Sequence, residues 1–319
     1  MKVSILLATY NGEKFLREQI DSLLQQTFQD FKIYISDDNS SDKTVEIIND
    51  YVVNYPNKIF FLAKTQRSGS AKGNFLYLLE QVESDVYLFC DQDDVWTEQH
   101  IEVLVNKYNQ LSLEDKQLPV LIHSDLRVVD EDLNVLSESF FSYAQLNKSF
   151  QRKHSYLIEN NVTGCVTLIN HELKLYVFRN KKYLKEHISD IPMHDHFFAY
   201  IAHRFGQIIF VDEKLELYRQ HKKNVVGAKN TRTVEHYINK FLNPDIIWMA
   251  KSLQFTNFIY HYYYDMITTN EKKIFSEYLT LLEMNRIKTI IFIHKYDFLR
   301  ESVQRRFLQI ISVFRRNNQ

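Results

Sequence analysis

The feature that most constrains the fold is a run of apolar and aromatic residues at 86–90 that leads directly into Asp91, Asp93 and Asp94. A short continuous apolar run favours a strand buried on both faces, as in parallel sheets. In open α/β sheets, ligands bind just outside the carboxyl ends of the strands. Neighbouring acids repel one another, and a hard divalent cation relieves that repulsion. The run therefore predicts either a metal site that holds a diphosphate or, as the alternative, an acidic cap on the next helix.

Strand-like and helix-like patterns alternate four times in the first half of the chain. The strand patterns lie at 3–9, 32–36, 59–63 and 86–90. The segments between them carry apolar residues at helical spacing, so we expect an α/β fold with a Rossmann-like, mostly parallel sheet flanked by helices. Further along, residues 208–211 and 215–218 predict two short strands that pair with each other.

Composition narrows the class of protein. The formal net charge of the 319 residues is −1, which gives no bias toward nucleic acid, and no nucleic-acid partner is expected. The two cysteines, Cys90 and Cys165, lie in apolar strand-like runs and are interpreted as buried thiols in a reducing compartment. No apolar stretch reaches the roughly 18–20 residues that span a bilayer, and the N-terminus does not resemble a signal peptide. We therefore expect a cytoplasmic protein.

A second acidic cluster, Asp37 and Asp38, follows another predicted strand, so both clusters should open at the same edge of the sheet. Three segments resemble, in order and spacing, the signatures of the family 2 glycosyltransferases. They are A-T-Y-N-G at 8–12, D-D-N-S-S-D-K-T at 37–44 and D-Q-D-D at 91–94. The resemblance covers residues 1–225 and implies the GT-A fold. It also implies transfer of a sugar from a nucleoside diphosphate to an acceptor hydroxyl, with inversion.

The resemblance further implies which residues hold the donor. The residues implied to bind the donor nucleotide are Thr9, Tyr10, Asn11, Asp37, Asp38, Lys72, Asp91 and Arg219. Asp93 matches the acid that ligates a divalent cation, Mn2+ or Mg2+, and His221 would complete the metal shell. Such a cation acts as a Lewis acid on the leaving diphosphate. A solvated lysine is the alternative for Lys72, and a polar surface loop is the alternative for the segment with Arg219 and His221.

Asp195 falls where the family places its catalytic base, and inverting transfer needs one because the acceptor hydroxyl must lose a proton. The family motif usually reads Glu-Asp, whereas this chain has His194-Asp195, which leaves Asp195 as the base candidate. The alternative is an acidic cap with flanking surface histidines. The acceptor side is expected to involve Asp125, Thr163, Gly164 and His194, although a packed loop end is equally compatible with Asp125.

Within the family, D-Q-D-D-V-W at 91–96, M-H-D-H at 193–196 and Y-R-Q-H at 218–221 look most like bacterial rhamnosyltransferases. That group builds cell-wall and capsular polysaccharides from dTDP-rhamnose. No physical property of these residues selects rhamnose over another sugar. A UDP-sugar-dependent enzyme of the same fold and a non-catalytic scaffold subunit therefore stay open. The expected partners are a nucleoside-diphosphate sugar and a saccharide or lipid-linked saccharide acceptor.

Helical patterns replace the alternating strands toward the C-terminus, which predicts a catalytic domain at 1–228 and a helical region at 229–319. Near the end, apolar residues share one predicted helical face among several arginines. They are Leu299, Val303, Phe307, Ile310, Ile311 and Phe314. A basic amphipathic helix predicts contact with the inner leaflet of a membrane. The alternative is packing on the catalytic domain or on a second subunit of a homo-oligomer.

Overall fold

The structure, a computed structural model, describes residues 1–150, 152–221 and 247–315. The chain forms two compact units. The first comprises residues 1–143, 162–179 and 201–229, and the second comprises residues 144–161, 180–200 and 230–319. The predicted boundary at residue 228 falls outside the described residues, so the division into a catalytic domain and a C-terminal region stays a prediction.

The first unit is built around one mixed sheet, which contains nine strands among the described residues. They are β1 (Val3–Thr9), β2 (Lys32–Asp37), β3 (Ile59–Phe61), β4 (Val86–Cys90), β5 (Val95–Trp96), β6 (Val120–Val129), β7 (Val135–Ser137), β8 (Thr167–Asn170) and β9 (Gln207–Arg219). The strand order is β3-β2-β1-β4-β8-β6-β9-β5, and β7 pairs with β6. Strands β1 to β4 run parallel to one another, whereas β8 pairs antiparallel with both β4 and β6.

Helices follow most of these strands. In the described residues they are α1 (Leu16–Leu24), α2 (Thr44–Asn54), α3 (Ala71–Gln81), α4 (His100–Asn109), α5 (Leu113–Lys116), α6 (Phe140–Ala144), α7 (Ser155–Ile158), α8 (His171–Val177), α9 (Lys181–Glu186), α10 (His194–Phe205), α11 (Ile247–Tyr262), α12 (Thr269–Leu279), α13 (Arg286–Lys295) and α14 (Val303–Arg315). The alternation of strand and helix confirms the predicted α/β class.

The central strands are buried along their whole length. Every residue of β1 and of β4 is buried, and Leu16 and Ile20 of α1 are fully buried in the same apolar cluster as Ile5 and Leu88. Each such side chain contributes about 1.5–3 kcal/mol relative to an exposed position. A strand covered on both faces needs apolar residues at consecutive positions, which explains the unbroken runs in the sequence.

Parallel pairing brings the polar residues after three strands to one edge of the sheet. Thr9 at the end of β1 lies beside Asp37 at the end of β2, and Leu7 lies beside Cys90 at the end of β4. Asp91 follows Cys90 directly, so the two acidic clusters share one edge, as the order of the strands predicted. Cys90 and Cys165 are both buried and free, as expected.

The prediction of two short paired strands near residue 213 is wrong. Strand β9 is continuous and runs parallel to β6. Asp212 and Glu213 are exposed and lie where the register shifts, so that Ser124 pairs with Val211 but Asp125 pairs with Lys214. In the sequence these polar residues resemble a turn, whereas in the sheet they form a bulge.

The second unit has a core rich in aromatic side chains. Helix α11 packs against α7 and α12, and its Phe255 and Phe258 are fully buried. Phe197 of α10 contacts Phe258 edge to face, with ring centroids 5.4 Å apart. Among the residues that the structure describes, no helix has both the length and the apolar character needed to cross a membrane.

Candidate active site

The turn after β1 is joined to the end of β2 by side-chain hydrogen bonds. Thr9 Oγ1 donates to Asp37 Oδ1 at 2.9 Å, and the Ser40 backbone N–H donates to Asp37 Oδ2 at 2.7 Å. The Asn11 backbone N–H donates to Ser40 Oγ at 2.8 Å. Asn11 has a φ of 50°, a left-handed conformation that asparagine adopts more readily than most residues. The predicted nucleotide-binding residues Thr9, Asn11 and Asp37 are therefore brought together.

Asp38 is held by the loop that precedes α3. Its carboxylate contacts Lys64 Nζ at 2.7 Å and Arg67 Nε at 3.5 Å, and it accepts hydrogen bonds from the backbone N–H groups of Ser68 and Gly69. Burial acts to raise the pKa of this carboxyl, but the hydrogen bonds from Lys64 and the two N–H groups outweigh burial and lower the pKa. These contacts order the loop, and the predicted contact of Asp38 with a nucleotide remains untested.

Gln92, inside the D-Q-D-D segment, joins two of the predicted donor-binding turns, a role that its residue type and position did not indicate. The Tyr10 backbone N–H donates to Gln92 Oε1 at 2.8 Å, and Gln92 Nε2 donates to the Tyr10 carbonyl at 2.9 Å. A Cβ atom on Gly12 would lie 2.2 Å from Gln92 Oε1, so this close approach requires glycine. The Tyr10 ring is 43% exposed and stacks on the guanidinium of Arg67 at 4.3 Å.

The two predicted metal ligands lie side by side. His221 Nε2 is 2.7 Å from Asp93 Oδ2, and the His221 ring packs against Phe15 with centroids 5.1 Å apart. Adjacent ligands of an octahedral cation at about 2.1 Å from the metal are themselves about 3 Å apart. Carboxylate oxygen and imidazole nitrogen are both suitable donors for Mn2+. The pair therefore fits the predicted cation, and its metal role remains a prediction.

Another group of potential metal ligands lies nearby. One ligand atom from each of Asp91, Asp94 and Cys165 falls within 4.8 Å of the others. Burial, followed by the neighbouring Glu216 carboxyl, raises the pKa of the Cys165 thiol well above its usual value. Cysteine sulfur is a soft ligand, whereas Mg2+ and Mn2+ prefer oxygen ligands. Asp93 and His221 therefore remain the predicted metal-binding pair, and Asp91 is partly buried.

Beneath the acidic loop, two buried carboxyl groups interact with each other. Asp94 is 1% exposed and Glu216 is fully buried. Burial is the main cause that raises the pKa of Asp94 well above its usual value, and the Glu216 carboxyl adds to it. Burial also raises the pKa of Glu216 to about 8. This pair therefore retains a proton near neutral pH, because two adjacent buried carboxylates cannot both be charged without a large penalty.

Arg219, predicted to bind the donor, makes extensive contacts with the protein and is only 2% exposed. Its Nε donates to the carbonyl of Asp93 at 2.8 Å, and its backbone N–H donates to Asp94 Oδ1 at 2.8 Å. Its terminal nitrogens donate to the Glu131 carbonyl and to the Glu18 carboxylate. These contacts hold the end of β9 to the loop after β4, whereas no observation tests the predicted contact with a diphosphate.

Three other predicted site residues, Lys72, Thr163 and Gly164, lie at or just before the start of a helix in the first unit. Lys72 is partly buried in the first turn of α3. The Thr163 carbonyl accepts a hydrogen bond from Thr167 Oγ1 at 2.8 Å, and the buried Gly164 begins a short 3₁₀ helix before β8. Their proposed contacts with donor and acceptor stay predictions.

Asp125, predicted on the acceptor side, is buried in a hydrogen-bond network. Its Oδ1 accepts from the backbone N–H groups of Leu126 and Phe140 at 2.9 and 3.0 Å, and its Oδ2 accepts from Ser139 Oγ at 2.6 Å. These bonds anchor the start of α6. They agree with the alternative interpretation of Asp125 as the packed end of a loop. They satisfy the buried Asp125 carboxyl group without an acceptor molecule.

His194 and Asp195 begin α10, in the second unit. His194 is buried with its ring against Phe198, and burial lowers its pKa to about 3, so its imidazole is neutral. His196 is buried as well, so the alternative of flanking surface histidines is wrong. Asp195 is partly buried, and its Oδ1 accepts the His196 backbone N–H at 2.6 Å. The base role of Asp195 and the acceptor role of His194 are not tested by these contacts.

Comparison with known proteins identifies a family domain in the first part of the chain. The model of "Glycosyl transferase family 2" matches residues 4–125. A protein described as dTDP-rhamnosyl transferase RfbG of Shigella flexneri is 27% identical over 273 residues, which cover 79% of this chain and 86% of that protein. A teichoic acid poly(glycerol phosphate) polymerase of Staphylococcus epidermidis is 27% identical over 154 residues, covering 48% of this chain and 21% of that protein.

Solved structures support the same fold. The crystal structure of S. aureus TarS 1-349 in complex with UDP covers 98% of this chain and 87% of that chain. The TM-score is 0.53 and the sequence identity is 16%, so this likeness concerns the fold alone. It agrees with the GT-A-type architecture expected from the sequence.

The buried carboxyl of Glu216 gives a testable pH dependence. In the folded chain it keeps its proton up to a pKa of about 8, whereas its ordinary pKa is 4.5. The folded state therefore binds more protons than the unfolded state between these values, and stability falls as pH rises, by up to about 1.4 kcal/mol per unit. We expect Glu216→Gln to lose this pH-dependent fall in stability. The free energy of unfolding of the variant, relative to that of the wild type, should therefore increase from pH 5.5 to pH 8.

Urea unfolding at several pH values measures this effect. The exposed Glu114→Gln variant is the matched control and should keep the wild-type dependence on pH. Parallel pH profiles for the wild type and Glu216→Gln would contradict the raised pKa.

Proposed function

The chain is a glycosyltransferase that carries a family 2 domain at residues 4–125, and we propose that it performs an inverting, metal-dependent sugar transfer in bacterial surface polysaccharide synthesis. The observation that carries the proposal is the 2.7 Å approach of Asp93 and His221 beside the joined turns of Thr9 and Asp37. Four segments far apart in the sequence thus form one edge of the sheet. The donor is a nucleoside-diphosphate sugar, and the acceptor is a saccharide or a lipid-linked saccharide. We place the reaction in the cytoplasm.

Asp93 and His221 would hold the divalent cation, Mn2+ or Mg2+. Bound there, it would supply Lewis-acid stabilisation of the leaving diphosphate. The Thr9–Asp37 pair and the exposed ring of Tyr10 are suited to the nucleoside, since they combine hydrogen-bonding groups with an aromatic surface. Asp91 would contact the ribose or a bound water, and Lys72 would contact a phosphate.

The transfer is a single displacement. The acceptor hydroxyl oxygen attacks the anomeric carbon, the bond from that carbon to the diphosphate oxygen breaks, and the diphosphate leaves with the electron pair. The hydroxyl proton passes to the Asp195 carboxylate, which acts as general base. Attack opposite the leaving group inverts the anomeric configuration. Asp125, Thr163, Gly164 and His194 would shape the acceptor side, with His194 present as the neutral imidazole.

The donor is best assigned as dTDP-rhamnose. Support comes from the likeness to the dTDP-rhamnosyl transferase of Shigella flexneri, which extends over 79% of this chain. A UDP-sugar is the second candidate, because TarS, which shares the fold, has been crystallised with UDP.

The metal assignment predicts that Asp93→Asn and His221→Ala lose cation-dependent donor binding. Each variant removes one ligand, and we expect the affinity for Mn2+ to fall at least about tenfold to hundredfold. Isothermal titration of Mn2+, and of nucleoside diphosphate with and without Mn2+, measures this directly. Asp30→Asn, an exposed acid before β2, is the matched control. If both variants bound Mn2+ with wild-type affinity, the assignment of Asp93 and His221 as metal ligands would be wrong.

The base assignment predicts a different behaviour for Asp195→Asn. This variant should bind donor and cation as the wild type does, whereas kcat for transfer should fall about 10²- to 10⁴-fold because the acceptor hydroxyl keeps its proton. Glu186→Gln, an exposed acid on α9, is the control. Transfer at the wild-type rate by Asp195→Asn would show that another group takes the proton.

The donor assignment is tested by thermal shift with nucleotide sugars in the presence of Mn2+. We expect dTDP-rhamnose to raise Tm more than UDP-glucose or UDP-N-acetylglucosamine at equal concentration, since a ligand stabilises the state that binds it. A larger response to a UDP-sugar would replace dTDP-rhamnose with the second candidate.

A further inference from the structure

Helix α14 in the second unit turns polar side chains inward. Gln309 and Ser312 are buried at 1% and 2% exposure. Gln309 Nε2 donates to the Phe298 carbonyl at 2.9 Å, and Gln309 Oε1 accepts from the Arg300 backbone N–H at 3.0 Å. Ser312 Oγ accepts from Trp248 Nε1 at 2.8 Å. These hydrogen bonds fix the rotation of the helix about its own axis.

The opposite face of α14 is apolar and exposed. Val303, Phe307 and Phe314 are spaced by four and seven residues, which places them on one side of the helix, and they are 72%, 59% and 51% exposed. Ile311 flanks them and is partly exposed. Leu299, which the sequence also assigned to this face, precedes the helix and is buried. In a helix that packs on a protein core, the apolar face is normally the buried one.

Helix α13, which packs against α14, shows the same feature. Its Ile287 and Ile291 are 68% and 59% exposed and share one helical face. Lys288 and Lys295 are exposed on the same helix, and Arg315 is exposed at the end of α14. Over residues 286–315 the sequence contains seven lysines and arginines but only two acids. The exposed apolar side chains therefore lie within a strongly cationic segment.

We propose that this surface, formed by the exposed residues of α13 and α14, docks on an anionic lipid bilayer. Apolar side chains that insert among lipid headgroups, together with lysines and arginines that contact lipid phosphates, are the combination that holds interfacial helices on membranes. A two-fold contact with a second copy of this chain would bring two cationic surfaces together, and their repulsion disfavours that occupant. The proposal does not depend on the assigned transfer reaction.

Vesicle co-sedimentation of the full chain tests this inference. We expect binding to vesicles of phosphatidylcholine with phosphatidylglycerol and at least about tenfold weaker binding to phosphatidylcholine alone. Raising the salt from about 0.1 M to about 1 M shortens the Debye length from about 10 Å to about 3 Å and should weaken binding to the anionic vesicles. Sedimentation velocity without lipid measures the oligomeric state in parallel.

The double variant Phe307→Ser/Phe314→Ser removes two exposed rings without touching the buried side of α14. It should keep the wild-type Tm and lose at least about tenfold in affinity for the anionic vesicles. The matched control, Val53→Ser/Leu113→Ser, alters two apolar residues of the first unit that are 77% and 79% exposed, and it should bind as the wild type does.

Three results would overturn the proposal. They are no binding of the wild type to anionic vesicles, equal binding of the wild type and the Phe307→Ser/Phe314→Ser variant, and a wild-type dimer that this variant converts to monomer. The last result would assign the surface to a second copy of the chain.

Discussion

The candidate site depends on the attachment of the end of β9 to the loop after β4. The backbone N–H of Arg219 donates to Asp94 Oδ1, and its side chain donates to the Asp93 carbonyl. Two residues further on, His221 Nε2 contacts Asp93 Oδ2. These partners are more than 120 residues apart in the chain. Asp93 follows β4 and His221 follows β9, so the pair forms only when both strands are in place in the sheet. Without the pairing of these strands, the entropy cost of closing a chain segment of this length would disfavour such a close approach.

The same region shows how a charged edge is built on a buried sheet. Asp93 is partly exposed and faces His221, whereas Asp94 turns inward to Glu216 and shares the low-dielectric interior with Cys165. Neighbouring carboxyl groups in the sequence therefore lie in different surroundings, and burial favours the neutral acid at Asp94. The alternation of side-chain direction along the loop turns Asp93 toward His221 and Asp94 into the interior.

The fold was predictable where one local rule was decisive. Continuous apolar runs identified β1 and β4, because strands covered on both faces need them, and parallel pairing then placed Asp37 and Asp91 on one edge. Contacts with a distant partner could not be predicted from local patterns alone. Nothing local shows that Lys64 pairs with Asp38, or that Glu216 is buried beside Asp94. For α14, the sequence showed an apolar face but not its direction, which is set by the partners of Gln309 and Ser312.

Cys90 and Cys165 have a practical consequence for solution work. Both are buried, and burial raises the pKa of each thiol well above its usual value, so the reactive thiolate is scarce even where a reagent could enter. Alkylation of the native protein then requires local opening of the structure around each thiol, at a rate that reports the free energy of that opening. The two native thiols should therefore react slowly with labelling reagents, so that one introduced surface cysteine can be labelled selectively with a fluorophore or a spin label.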